Sequence, residues 1–542
     1  MDAKKLVELA DHLFGKKMPL TSLHQEIADN FYPERADFTV TRSLGTDFAA
    51  QLMTSYPVVA RRELGNQFGT MLRPTAKPWF HVKRKFEERD SEPTEVKAYL
   101  DWFERTQRRA MYDPGAKFTR ATKEGDHDFA AFGQCAISVE LNRMGNGLLF
   151  RSWHLRDVCW QEDAEGSVGF VARRWKPTLR VLKDTFKNVH DKVNENVDKT
   201  PFDEIEVMHM VVPAEMYDDK TAKPRWSIWY DKTNAHLMEA VPIDGRFYVI
   251  PRWQTVSGSQ YSYSPATVCA LPDARLLQSM TFTLLEVGEK ASSPPVIATK
   301  DAIRGDVALY AGGVTWIDME YDERLGEALR PLNQDFRGVN YGLQMNADTR
   351  SMIRDAFYLN QLAMPERAPE MTAYEVGQRV QEYIRNALPI FEPMEMDYNA
   401  ALCEETFGLL ARHGAFGSPD TWPKQLRGSE IDFAFESPLH DAIEQQKGQK
   451  FQEVQAMVAA AIALDPTSAY IPDTKTMLRD TLLSIGAPPT WLHSEAYVED
   501  AAANAQAQAD QANQLAAMEQ ASNAAKNIGQ SGLVPQETGM PA

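Results

Sequence analysis

Three groups of residues have the side-chain types that chemistry uses. Asp126, His127 and Asp128 place two carboxylates around an imidazole, the hard and borderline donors of a divalent-metal site. A hydrated helix start with solvated charges is the simpler reading of the same run. Asp318, Glu320 and Asp322 alternate with apolar residues in VTWIDMEYDE, as on one face of a half-buried strand. They have the oxygens for a cation, and a solvated strand face accounts for them more simply. Arg173, Arg174, Arg337, Arg350 and Arg354 are too scattered for a nucleic-acid groove.

The motifs that would convert such residues into an active site are missing. There is no G-x-x-x-x-G-K-[ST], no G-x-S-x-G and no H-E-x-x-H. The four cysteines, at 135, 159, 269 and 403, have neither C-x-x-C spacing nor a nearby histidine pattern. That argues against a structural zinc or a disulfide framework and for a reducing compartment. No catalytic, cofactor-binding or metal-binding residue is assigned, no cofactor is expected, and the chain does not read as an enzyme.

A different feature stands out at residues 361–384, QLAMPERAPEMTAYEVGQRVQEYI. A helical pattern stops at Met364-Pro365-Glu366-Arg367-Ala368-Pro369. A capped helix then starts, with Thr372 three residues before Glu375 in a capping box. Two prolines fix φ at two points and remove two donors, so the loop between them keeps a preferred shape. Taken alone, it reads as an interhelix turn with solvated charges.

The elements around these residues change character along the chain. EIADNFYPERADF ends a helix at Pro33, AAQLMTSYPVVARRELGNQFGTMLRP has helical spacing up to Pro74, and PTEVKAYLDWFERTQRRAMY repeats it. From 134 to 255 short β-rich runs take over: CAISVEL, GLLFRSWHL, DVCWQED, GSVGFVARRW, IEVMHMVV, RWSIWYD and GRFYVIPRW. A hairpin turn is expected at DAEGS, 163–167. Helices return at 264–290, interrupted by Pro272, and at 338–360, with Met352, Ile353, Ala356 and Phe357 on one side. They continue from 372 to a Gly414 cap and through 439–500. Beyond 501 the chain is Ala/Gln/Asn-rich, with high helix propensity and little to bury, so it orders only in company.

The whole chain has 542 residues, 43% hydrophobic, with 58 basic and 76 acidic side chains and a net charge of -18. An acidic chain is poorly suited to tight non-specific nucleic-acid binding, which needs Lys/Arg surfaces that release counterions. No stretch reads as a signal peptide or as 18 uninterrupted apolar residues, which sets the expectation of an intracellular, soluble protein with no membrane partner.

Four stretches together resemble the portal (head-to-tail connector) proteins of short-tailed double-stranded DNA bacteriophages. They are FGTMLRPTAKPWFHVK (68–83), QYSYSPATVCALPDARLLQSMTFTLLEVGEKASSPPVIA (260–298), TAYEVGQRVQEYI (372–384) and IGAPPTWLHSEAYVED (485–500), in the family's order. Tyr263-Ser264 departs from the family's Arg-Gly before the proline, and Gln278 replaces the usual Asn.

The resemblance implies an α+β portal fold that forms a ring, usually of twelve copies, with a helical and β wing, a two-helix stem, a small mixed clip and a helical crown. The wing would span 1–263, the first stem helix 264–291, the clip 292–337 and the second stem helix 338–360. The tunnel loop would span 361–371, the long kinked helix and wing return 372–438, the crown 439–500, and the tail 501–542 would extend the crown or stay disordered. Stem segments of that length cover roughly 35–40 Å at 1.5 Å per residue. In a ring, Met364, Pro365, Glu366 and Arg367 would narrow the channel, and Arg337, Arg350 and Arg354 would meet DNA from the stem. The implied partners are further copies of the chain, double-stranded DNA, a terminase motor, tail adaptor or nozzle proteins, and capsid and scaffolding proteins. The implied location is one vertex of the virion, after synthesis in the host cytoplasm. Two alternatives remain: another phage ring component such as a tail adaptor, and a carboxylate-based hydrolase.

Overall fold

The computed structural model describes residues 2–43, 45–75, 77–87, 92–218, 220–292, 294–298, 329–331, 338–362, 394–435, 451, 454–461, 465, 473, 477–479, 481–482 and 495–530. The chain divides into two units, Met1–His440 and Asp441–Ala542.

Four helices open the first unit: α1 (Ala3–Phe31), α2 (Tyr56–Leu72), α3 (Thr94–Met111) and α4 (Phe118–Phe132). Helix α1 stops before Pro33, which starts a short 3-10 turn over Pro33–Arg35, because the ring blocks helical backbone in the preceding residue. Helix α2 begins only at Tyr56, although its apolar spacing reaches back to Ala49. Pro57, whose fixed φ suits a first helical turn, sets that start.

The β region contains β1 (Phe80–Arg84), β2 (Ala136–Leu141), β3 (Leu148–Trp153), β4 (Val158–Glu162), β5 (Val168–Trp175), β6 (Val207–Pro213), β7 (Arg225–Asp231), β8 (His236–Ile243) and β9 (Tyr248–Val249). Strands β4 to β8 form one antiparallel five-stranded sheet in sequence order, and β3, β2 and β9 form a second. The expected hairpin joins β4 to β5. Asp163 Oδ1 accepts the amides of Glu165 and Ser167 at 3.0 and 2.9 Å, and Gly166 takes φ +78°. Strand β8 escaped the sequence reading because Pro242 lies inside it. As the edge of its sheet, β8 tolerates a residue with no N–H to donate.

Each face of the five-stranded sheet is covered. The first half of α1 presents Leu6, Val7, Ala10, Leu13 and Phe14 at helical spacing to Phe170, Ala172, Met208, Met210 and Ile228. Helices α5 (Leu179–Thr185) and α6 (Asp191–Asn196) pack Leu182, Phe186 and Val193 on Val207, Met238 and Trp229. Each fully buried large apolar side chain here contributes about 1.5–3 kcal/mol.

A short α7 (Ala214–Tyr217) and two strand pieces, β10 (Gln254–Thr255) and β11 (Ser262–Tyr263), precede two long helices, α8 (Pro265–Ser292) and α9 (Gly338–Ala356). Strands β12 (Val296–Ala298) and β13 (Leu329–Pro331) pair between them. Helix α10 (Leu359–Leu362) follows α9. A π-helical turn, Glu395–Asn399, leads into α11 (Ala400–Arg412), and β14 (Ile431–Phe435) returns to pair with β1 across 347 to 355 residues of sequence. In the second unit, α12 (Glu495–Gln530) runs 36 residues, about 54 Å, with every described side chain exposed.

Candidate functional site

Helix α8 starts where α4 ends, and the join explains both. The last carbonyls of a helix have no partner inside it. Here Ser264 Oγ donates to Ala130 O at 2.7 Å, and Thr267 Oγ1 donates to Ala131 O at 2.8 Å. Ser262 Oγ donates to Gly133 O at 2.5 Å. Gly133 closes α4 at φ +72°, and a Cβ there would collide with backbone atoms of Tyr263 and Ser264. The segment from Ser262 to Thr267 is therefore where α8 is stitched to the body.

The buried side of α8 is Ala266, Thr267, Ala270, Leu271, Ala274 and Leu277, with alanines four residues apart so that backbones approach closely. Helix α8 crosses Pro272 without a break; that residue is exposed. One turn further, Gln278 clamps the segment before α2. Its Oε1 accepts the amides of Met53 and Thr54 at 2.7 and 3.0 Å, and its Nε2 donates to Thr54 O at 3.0 Å. Arg275 pairs with Glu26 of α1.

Helix α9 roots at its other end. Asn346, Thr349 and Ile353 are buried, and Phe357 sits on Phe31 with ring centroids 5.4 Å apart. Further out, the two helices touch closely enough that a Cβ on Gly342 would lie 3.1 Å from Leu284 Cδ2. The pair therefore runs in opposite directions from one root. Its outer part exposes Phe282, Leu285, Tyr341 and Leu343, which are 48, 54, 72 and 55% accessible. These are four large apolar side chains left exposed on one helix pair, surface that a partner would cover.

The sequence-predicted residues divide as follows. Arg350 and Arg354 are exposed on α9, and the Arg350 guanidinium stands 5.8 Å from the Tyr56 ring centroid, against the body of the unit. Arg337, Met364, Pro365, Glu366 and Arg367 lie outside the described residues, as do Asp318, Glu320, Asp322 and the Thr372–Glu375 capping box. Met352, read as sharing a face with Ile353, is 55% exposed. Helix α9 ends at Ala356 rather than 360, because Tyr358 adopts φ +58°.

The Asp126-His127-Asp128 run is a correction. It lies in the second half of α4, with both carboxylates buried, and is not a hydrated helix start. Asp126 pairs with Arg73, whose Nη1 also donates to Asn399 Oδ1 at 2.8 Å, and Arg35 binds Asp128 in a two-point fork at 3.1 and 2.7 Å. The His127 ring faces Arg61 at 3.0 Å. Burial pulls the His127 pKa down to about 4 and pushes the Asp126 carboxyl up against the opposing pull of Arg73. Arg73 is held charged: burial alone would lower its pKa, and Asp126 beside it more than reverses that. Three cations occupy the donors a metal would need, and among the described residues no His/Cys/Asp/Glu group has a metal-holding arrangement. These pairs tie α1, α2 and α4 to the π-helical turn.

Arg173 is likewise buried, and Arg174 is half-buried beside it. Arg173 lies 3.7 Å from the Trp153 ring centroid and donates to Tyr248 Oη at 2.9 Å, while Arg174 covers Phe14. Tyr248 Oη lies 2.6 Å from His209 Nδ1, and His209 Nε2 lies 2.9 Å from Ser227 Oγ, so both ring nitrogens are hydrogen-bonded. His209 is held neutral, its pKa driven well down by burial and then by Arg173. Sequence reasoning missed the stitching residues Gly133, Ser262, Ser264 and Thr267. The available signals were a glycine closing AAF and a Ser-Pro opening the next helix.

The family model described as bacteriophage head to tail connecting protein matches residues 3–492. A curated relative named "Probable portal protein", from Bordetella phage BPP-1, is 25% identical over 433 residues, 77% of this chain and 76% of that one. A "Portal protein" from Salmonella phage epsilon15 is 22% identical over 288 residues, 51% of each chain. Among solved structures, chains from the neck of an empty gene transfer agent particle and from the virion of the native particle are each 10% identical. Each covers 83% of this chain and 96% of its own, with TM-scores of 0.38 and 0.39, too low to carry an argument. No described helix is long and apolar enough to cross a membrane.

Proposed function

Because the chain belongs to the bacteriophage head to tail connecting protein family, we propose that it is a portal, the ring at one capsid vertex through which the phage genome enters and leaves. The observation that carries this reading furthest is the α8–α9 pair. It is anchored to the body at one end by buried hydroxyl–carbonyl bonds and presents Phe282, Leu285, Tyr341 and Leu343 to solvent at the other. Copies arranged around an axis would cover these side chains.

On this reading residues 1–263 are the wing, α8 and α9 the stem, 292–337 the clip and 361–371 the tunnel loop. Residues 372–438 return to the wing, 439–500 are the crown, and 501–542 extend it. Met364, Pro365, Glu366 and Arg367 would line the constriction. Arg337, Arg350 and Arg354 would meet DNA sparsely, and a net charge of -18 keeps a sliding polyanion from being gripped. The role is structural, with energy supplied by a separate terminase motor and with tail adaptor, capsid and scaffolding proteins docking on the ring.

Mass photometry and negative-stain imaging of the purified chain test this. Closed rings of about twelve copies with a central hole wide enough for a duplex are expected, and Phe282→Glu with Leu285→Glu should leave folded monomers whose melting temperature, unlike that of the ring, does not depend on protein concentration. A wild-type chain that stays monomeric at every salt and protein concentration overturns the reading.

A further inference from the structure

Two backbone irregularities lie 40 residues apart in sequence and meet on one pair of aromatic rings. The first is Tyr358, whose φ of +58° breaks the helical run between α9 and α10. Left-handed backbone is costly for a residue with a Cβ, and such a C-terminal position usually carries glycine. The break is abrupt: Phe357 N still bonds Ile353 O at 3.0 Å, and Tyr358 N turns to Asp355 O at 2.9 Å. The second is the π-helical turn Glu395–Asn399, which holds one residue more than an α-turn and is stable only where its surroundings enforce it.

The Tyr358 ring lies 6.2 Å from Trp253, Trp253 stacks on Phe129 at 5.6 Å and 13°, and Phe129 lies 5.7 Å from Tyr398 in the middle of the π-turn. Both outer ends of this ladder are fastened. Phe357, fully buried, packs on Phe31. Tyr398, also fully buried, carries the Arg73 guanidinium 4.6 Å from its ring centroid, and Asn399 next to it bonds Arg73 and Leu72 O. The inner rung is fixed too, since Trp253 N donates to Gly133 O at 2.8 Å.

We propose that Tyr358 and the Glu395–Asn399 turn are one coupled double hinge, joined through the Trp253–Phe129 stack. If Tyr358 returns to right-handed backbone, α9 and α10 become one helix, its ring leaves Trp253, and the stack that supports the π-turn loosens. The coupling between the two hinges does not rest on the portal reading.

The test is amide hydrogen exchange on the full chain carrying Tyr358→Ala, Tyr358→Gly or Tyr358→Phe, read in two windows, 356–361 and 394–399. Losing one aromatic pair should speed exchange in the distant 394–399 window roughly two- to tenfold in the Ala and Gly variants. The Phe variant, which keeps the ring, should match wild type there. In the near window Gly should keep the break and Ala should gain protection at 359–361 as the helices fuse. A distant window unmoved in all three variants, or moved equally by Phe, overturns the coupling. Ala without added protection at 359–361 overturns the two-state hinge. Neither outcome depends on ring assembly, so failure here is distinct from failure of the portal reading.

Discussion

Replacing Gly133 with Ala should loosen the root of α8, and the cost can be worked from the structure. Holding a Cβ residue at φ +72° costs about 1 kcal/mol. The new methyl would overlap the backbone of Tyr263 and Ser264, and relieving such overpacking costs about 1–3 kcal/mol. Moving that strand away also weakens the bonds from Ser262, Ser264 and Thr267 to the end of α4, each worth about 1 kcal/mol. With about half of that bonding lost, the total is about 3.5–5.5 kcal/mol. Residues 1–440 form one unit, and at roughly 2.1 cal/mol/K per residue its unfolding entropy is about 0.9 kcal/mol/K, so the melting temperature should fall by about 5 °C. Gly258 supplies the control. It has φ +87° but nothing within 4 Å of the place a methyl would take, so Gly258→Ala should lose only the backbone contribution, about 1 °C. Scanning fluorimetry of the two variants in one buffer decides the matter. Equal shifts, or a silent Gly133→Ala, would refute the idea that α8 is held by its close approach to the end of α4.

Acidification should destabilise the first unit through its histidines. His24, His127 and His209 all have folded pKa values lowered by burial first of all, His127 to about 4, so below the unfolded value near 6.5 the unfolded chain binds protons that the folded chain does not. Stability is then complete above pH 6.5 and declines as pH falls. By pH 5.5 each fully buried histidine, His24 and His209, should remove on the order of 1 kcal/mol, read as a lower urea midpoint than at pH 7.5; an unchanged midpoint would sink the assignment of neutral imidazoles. Asp126→Asn should cost about 3–5 kcal/mol by leaving Arg73 buried and unpaired, and adding Arg73→Met should recover much of it in a urea double-mutant cycle. Strictly additive losses would contradict the pairing. Gln278→Ala should free the Met53 and Thr54 amides and speed proteolysis within 40–55 several-fold while moving the melting temperature little; unchanged cleavage would show that the clamp is dispensable.

Much of the local structure was legible because it depends on short-range physics. Pro33 had to end α1, Asp163 and Gly166 had to make a turn, and runs such as FVARRW and VMHMVV carry the β-branched and large apolar residues that buried strands favour. The family was legible too, from four stretches whose order and spacing match it. What the residues could not reveal is where a side chain finds its partner once the chain is folded. Asp126-His127-Asp128 looks like a hydrated cluster or a metal site in one dimension. In three dimensions Arg73, Arg35 and Arg61 arrive from 53, 93 and 66 residues away and turn it into a buried lattice of ion pairs. The pattern through 360 reads as one helix, and only the docking of Phe357 on Phe31 and of Tyr358 on Trp253 imposes the break. Propensity and periodicity are set by near neighbours, so sequence determines them. Burial, pairing and backbone strain are set by residues tens to hundreds of positions apart, so the tertiary structure alone decided them.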